Sequence, residues 1–186
     1  MLRKILRFFH RPADFNIGPV NDIYLRRWYV IPRNRFFNIY LHQALRSDDD
    51  RALHDHPWWN LSIVLKGGYW EVMPPFPMRG MDGGLIGDSS NVAYRYQAPF
   101  IRTWRRPGSI ILRRATDAHR LELGRPAPSE SCTLAMASNG KPSWSLFITG
   151  PKLRTWGFWC PKGWMHWEKF VKVVPGGNEI GAGCGE

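Results

Sequence analysis

Acidic residues are scarce in this chain and its apolar runs are short. Asp and Glu number 15 against 26 Lys and Arg, for a formal net charge of +11. No apolar run approaches the ~20 residues of a transmembrane helix, so no membrane span is expected. The three cysteines, Cys132, Cys160 and Cys184, form no C-x-x-C pair and are odd in number. That pattern argues against a disulfide framework and a four-cysteine zinc site, and reduced thiols in a cytoplasmic compartment are the expectation. Long Lys/Arg blocks are missing too. Arg46, Arg51, Arg95, Arg102, Arg105, Arg106, Arg113, Arg114 and Arg120 are spread over several predicted strands. With no recognisable nucleic-acid motif, solvated strand faces are favoured over a nucleic-acid partner, while an anionic ligand stays open. The opening Met1 to His10 is basic, but its apolar stretch is too broken for a secretory signal.

What is present suits a folded β domain. The chain has 186 residues, 44% of them hydrophobic and 14% aromatic, with ten Trp. Aromatic and β-branched residues favour strands, and 18 Gly and 15 Pro punctuate the chain densely enough for many short ones. Residues 2–9 predict a short basic amphipathic helix with Leu2, Ile5, Leu6 and Phe9 on one side. Strands are expected over Asp22–Ile31, Phe36–Leu45, Val92–Gln97, Phe100–Arg105, Ile110–Arg114 (a buried-looking run) and His119–Leu123, and an apolar run precedes the Gly67-Gly68 turn. A hairpin is expected between Cys132–Ala137 and Trp144–Thr149. The Pro- and Gly-rich stretch 72–91 reads as a long loop. A single domain is expected over residues 1–174, with the barrel core at about 22–150 and a flexible Gly-rich tail at 175–186.

Chemistry concentrates in His54-Asp55-His56-Pro57-Trp58-Trp59-Asn60. Alternate residues of a strand face the same way, so His54 and His56 can aim both imidazoles at one point while Asp55 faces the other. Zinc, iron, copper and nickel all accept such ligands. Asn60 stands three residues after the pair and Gly67 six residues after that. Further on come the turn Pro107-Gly108-Ser109, an apolar strand, a second turn and His119.

These two segments resemble the two motifs of the cupin superfamily, the small jelly-roll β-barrels. Late Trp-Gly-Phe and Gly-Trp segments strengthen a similarity to small cupin-like proteins of bacteria and their phages. The resemblance implies an all-β, cupin-type jelly-roll barrel with a short N-terminal helix and an irregular C-terminal segment. It also implies a divalent metal held by His54, His56 and His119, with Asn60 where most metal-binding cupins carry glutamate and Asp48 where a glycine often opens the first motif. A neutral three-His site is similar to that of the thiol dioxygenase branch, which makes Fe(II) the first expectation, with zinc, nickel or manganese as alternatives. The His-x-Asp pair of 2-oxoglutarate oxygenases does not occur here.

Asn60 can ligate weakly through its amide oxygen, and Glu71, after the Gly67-Gly68 turn, is a candidate carboxylate ligand or general base. Tyr40 and Arg120 are candidate catalytic residues. Tyr69, Trp59 and Arg113 are candidates for the cavity wall, and His42 for a supporting contact. The 72–91 loop can cover the mouth, and the Trp-rich 156–167 segment can pack the open face or a homodimer interface. The functional expectation is an iron dioxygenase-like enzyme acting on a small molecule. The alternatives are a non-catalytic module for an anionic small molecule or sugar, and a zinc-dependent hydrolase or isomerase.

Overall fold

A computed structural model describes residues 11–48, 52–74, 100–124, 141–160, 163–174, 177–181 and 183–184. All its strand pairs are antiparallel. One sheet has six strands: β1 (Phe15–Ile17), β2 (Leu25–Tyr29), β3 (Asn38–Ala44), β10 (Ser143–Thr149), β5 (Asn60–Lys66) and β8 (Ile110–Arg113), in that spatial order. Opposite lie two three-stranded pieces. The first is β12 (Gly163–His166), β11 (Gly157–Cys160) and β4 (Leu53–His54); the second is β7 (Ile101–Arg105), β6 (Tyr69–Met73) and β9 (Arg120–Glu122).

The two pieces are joined by an antiparallel bridge between His54 and His119. The His54 N–H donates to the His119 carbonyl at 2.9 Å, and the His119 N–H donates back at 3.0 Å. The second layer therefore runs β12-β11-β4-β9-β6-β7, and two candidate metal ligands make its central seam.

Strand alternation follows the residues. In β5, Asn60, Ser62 and Val64 are buried while Leu61, Ile63 and Leu65 face outward. The layers enclose Ala44, Val64, Tyr69, Ile111 and Leu123. Leu53, Val72, Ala118 and Trp159 pack beneath the histidine seam. Burying such side chains is the main favourable contribution to folding, about 1.5–3 kcal/mol for each large one. The turn from β5 to β6 requires glycine at 67: its φ is +84°, and a Cβ there would lie 2.5 Å from the Pro142 carbonyl oxygen.

Several expectations change. β8 turns one face to the core and the other to solvent, so only Ile111 and Arg113 are buried, whereas Ile110 and Leu112 are 69% and 71% exposed. Val72 and Met73 extend β6, so the stretch expected as loop begins later. The C-terminal segment is regular, not irregular. After β12 come a single-turn helix α1 (Trp167–Phe170) and a hairpin of β13 (Val171–Val174) with β14 (Gly177–Ile180), which takes in part of the expected flexible tail.

Cys160 and Cys184 form a disulfide, against the expectation of reduced thiols. Odd-count reasoning overlooks a single pair that leaves Cys132 over. The expected helix at 2–9, the strand at 92–97 and the hairpin arm at 132–137 lie outside the described residues. Among those described, no helix is long and apolar enough to cross a membrane.

Candidate metal centre

The chain stays extended through residues 53–56, and its alternation sorts the side chains. Leu53 and Asp55, both fully buried, face the packed side, while His54 and His56 face the cavity. Asp55 secures this orientation. Its carboxylate accepts from the Gly157 N–H at 2.9 Å and from Trp164 Nε1 at 3.1 Å, and pairs with Arg154 at 2.9 Å. The His56 N–H donates to the carbonyl of Ala115, in the turn leading to His119. Backbone bonds thus tie all three histidines together before any side chain is considered.

The rings form a nearly equilateral triangle, with centroid separations of 4.9, 5.1 and 5.2 Å. One nitrogen from each ring lies within 4.8 Å of the others. His56 Nε2 and His119 Nε2 are 2.9 Å apart. Among the described residues this is the group able to hold a metal ion. The donor set fits a divalent cation, since neutral imidazoles within one coordination sphere are ligands that zinc and iron accept.

Protonation supports that fit. Burial, together with the neighbouring histidines and Arg113, holds His56 well below the usual histidine range. His119 is lowered to about 3, chiefly by burial and by Arg113, with Glu71 opposing. Both rings are therefore neutral near pH 7 and present lone pairs.

Glu71 fixes which nitrogen of His119 is free. Fully buried, it stands 3.0 Å from His119 Nδ1, so that nitrogen carries the proton and Nε2 keeps its lone pair. The same carboxylate accepts from Arg113 Nε at 2.6 Å and Arg105 Nε at 2.6 Å. Arg113 comes from β8 of the opposite sheet, so the ion pair crosses the sandwich. Burial alone would raise the Glu71 pKa, but the His119 hydrogen bond and the two arginines outweigh it and hold the carboxyl well below the usual range.

The other sequence candidates are dispersed. Asn60 is buried beside its cross-strand partner Arg113, which donates to its Oδ1 at 3.4 Å, and it does not line the cavity. Tyr40 lies under the Arg27 guanidinium and stacks on His42. Arg120 pairs with Glu122 at 2.9 Å. Neither Tyr40 nor Arg120 lines the cavity, whereas Tyr69 and Arg113 do. Trp58 lines it in place of Trp59. His42 lines the cavity as well but accepts from Arg27 at 2.8 Å, without bonding a triad histidine.

The cavity measures about 530 Å³, and the triad opens into it. Trp156, Phe158, Trp167 and Phe170 form part of its wall, while Trp159 and Trp164 of the same segment pack in the core beside Leu53 and Val72. Sequence reasoning missed Asp48, whose carboxylate accepts from the Leu121 N–H at 2.6 Å and stands 3.8 Å from His54 Nδ1. It also missed the pairing of Arg105 and Arg113 with Glu71. No local pattern signals the bond from Leu121 to Asp48 or the Glu71 pairs, because their partners are remote in sequence.

No family model matches the chain, and no curated protein matches it significantly. Among solved structures it is similar to a conserved protein with a double-stranded β-helix domain from Klebsiella pneumoniae, at 14% identity and TM-score 0.44, covering 77% of this chain and 90% of that one. Hydroxypropylphosphonic acid epoxidase from S. wedmorenis matches at 14% identity and TM-score 0.42, over 77% of this chain and 56% of that one. The DMSP lyase of Ruegeria pomeroyi matches at 13% identity and TM-score 0.38, over 71% and 49%. Two facing antiparallel layers, with the three histidines where the two sequence motifs put them, give this chain a cupin-like all-β fold.

Proposed function

We propose that His54, His56 and His119 hold one divalent metal ion, with iron(II) preferred, and that the chain is a dioxygenase-like enzyme acting on a small molecule in the adjoining cavity. The observation that carries this reading is the buried Glu71–His119 contact, which leaves Nε2 of His119 free toward the other two rings. When bound, iron would supply a redox centre with coordination positions left open beyond three imidazoles.

The protein's part is to keep those imidazoles neutral and aimed. Glu71 is a positioning residue here rather than a general base, because both its oxygens are committed to Arg105, Arg113 and His119. Asp48 places a carboxylate 3.8 Å from His54 Nδ1 and anchors the Leu121 N–H beside the seam. Trp58 and Phe147 line the same cavity and limit water around the centre.

Metal analysis of protein purified without supplements, followed by anaerobic Fe(II) titration, tests the proposal. About one equivalent of iron, lost in His54→Ala, His56→Ala and His119→Ala, is expected, with oxygen uptake once a substrate is supplied. Failure to bind iron, zinc, nickel or manganese stoichiometrically refutes it. Tight zinc binding without oxygen uptake would instead favour a hydrolase or isomerase.

A further inference from the structure

Of the cations lining the cavity, Arg113 is neutralised by Glu71 and Arg46 pairs with Asp22 at 2.9 Å. Arg27 differs. It is half-buried on β2, and among the described residues no carboxylate lies within 4 Å of it. Its Nε donates to His42 Nε2 at 2.8 Å, and its guanidinium lies over the Tyr40 ring with 4.7 Å to the centroid. Burial lowers its pKa, and its neighbours Tyr40, Tyr29 and Tyr24 are uncharged at neutral pH while Arg33 is a second cation. A guanidinium withdrawn from water without a counter-ion is costly, and an anion arriving at it regains charge-assisted hydrogen bonds.

The surroundings define the anion. With Nε occupied by His42, the two Nη groups remain, a fork that matches the two oxygens of one carboxylate. A phosphate dianion would call for more donors than this single uncompensated cation offers. Arg27, His42 and Ser145 stand side by side across β2, β3 and β10, and all three line the cavity. The His42 and His56 rings both touch Phe147, at centroid distances of 4.8 and 6.2 Å, so one phenyl ring separates this row from the triad. Trp58, Leu121, Phe158 and Trp156 make the remaining wall largely apolar.

We propose that Arg27, oriented by His42, binds the carboxylate of a small acid whose flat apolar body lies along Phe147 toward the three histidines. The proposal shares its cavity with the metal reading and rests on it only for which end of the ligand would react.

Phenylacetate and its neutral isostere phenylacetamide are suitable probes, titrated calorimetrically into chelator-treated full-length protein. The wild type should bind the acid at least about tenfold more tightly than the amide. Arg27→Met and Arg27→Gln should each weaken acid binding by about tenfold to a hundredfold, with amide binding unchanged. Arg27→Lys should keep part of the preference, since it retains charge without the fork. Circular dichroism and unfolding midpoints show that the variants compared are folded. His54→Ala should lose metal yet keep the preference for acid, which separates failure of the metal reading from failure of this one. Equal binding of acid and amide, no detectable phenylacetate binding at millimolar concentration, or a preference that survives both Met and Gln at 27 would each overturn the proposal. So would an acid preference seen only in metal-loaded protein and insensitive to Arg27.

Discussion

Glu71→Gln removes one charge from the centre of the sandwich while keeping the side chain's shape. The carboxylate is fully buried, Arg113 is 5% exposed in its side chain, and Arg105 is 23% exposed. An amide can accept one hydrogen bond with its oxygen, but its NH2 group then faces a guanidinium or the His119 Nδ1–H, donor against donor. Breaking one member of a buried ion pair costs about 3–5 kcal/mol, because the partner charge stays buried without compensation. Arg105 has water within reach, so the lower end, about 3 kcal/mol, is expected. For a domain of this size that lowers the unfolding midpoint by roughly 6–12 °C. Metal affinity should fall separately, by about 10- to 100-fold, because His119 loses the acceptor that fixes its tautomer. Scanning calorimetry on metal-free protein and a competitive metal titration measure the two effects. The double variant Glu71→Met with Arg113→Met distinguishes their origins: an apolar pair should recover much of the stability and none of the metal affinity. Unchanged Tm and unchanged metal affinity in Glu71→Gln would refute the role assigned to this carboxylate.

Acid should destabilise the metal-free protein from a higher pH than carboxylates alone would set. His42, His56 and His119 are all held below the usual value of 6.5 by burial, so each takes up a proton on unfolding once the pH is below about 6.5. Each buried histidine then subtracts about 1.4 kcal/mol per pH unit until its folded pKa is reached, about 3 for His119. Glu71, depressed from 4.5, contributes fully above that value and loses its contribution below it. Urea midpoints at pH 7.5, 6 and 5 should fall progressively, and a flat profile would contradict the burial of these rings. Asp55→Ala strands Arg154 and frees the Gly157 and Trp164 donors, so a loss of about 3 kcal/mol is expected, with weakened metal binding, by denaturant titration and metal analysis. Reducing Cys160–Cys184, which lie 24 residues apart, should lower stability by about 3 kcal/mol in the same titration, while protein lacking the bridge would show no response to reductant.

The parts of this molecule legible in its sequence are those with local periodicity or local spacing. His54 and His56 share a face because strands have a period of two, and Gly67 is required because its backbone turn leaves no room for a Cβ. His119 was legible through motif resemblance, and the triangle of rings agrees with it. Misreadings arose where partner identity decides the outcome. Ile110-Ile111-Leu112 looks like a buried run, yet only one face of β8 meets the core and Ile110 and Leu112 lie on the other. Glu71, by its place after the turn, reads as a carboxylate ligand or general base, while Arg105 and Arg113, which bond it, sit 34 and 42 residues away. Whether Tyr40 and Arg120 line the cavity depends on strand parity, and in the fold Tyr40 lies under Arg27, Arg120 pairs with Glu122 and neither lines it. The Cys160–Cys184 pair depends on a hairpin at 171–180 that the Gly-rich composition conceals.

The antiparallel pairing of β4 with β11 sets an order of events during synthesis. His54 pairs with Phe158, and Asp55 takes its hydrogen bonds from Gly157 and Trp164, residues made about a hundred positions later. The larger sheet is complete once Thr149 has emerged, since β10 is its last strand to be made. A growing chain can therefore hold a folded first layer, with His54 bridged to His119 and His56 to Ala115, while Asp55 between them still lacks its partners. Asp55 is secured only when β11 arrives, and the cavity wall from Trp156 to Phe170 arrives with it. Any metal ion met before that moment meets the three imidazoles without the aromatic wall beside them, so the fold itself decides when the site is enclosed.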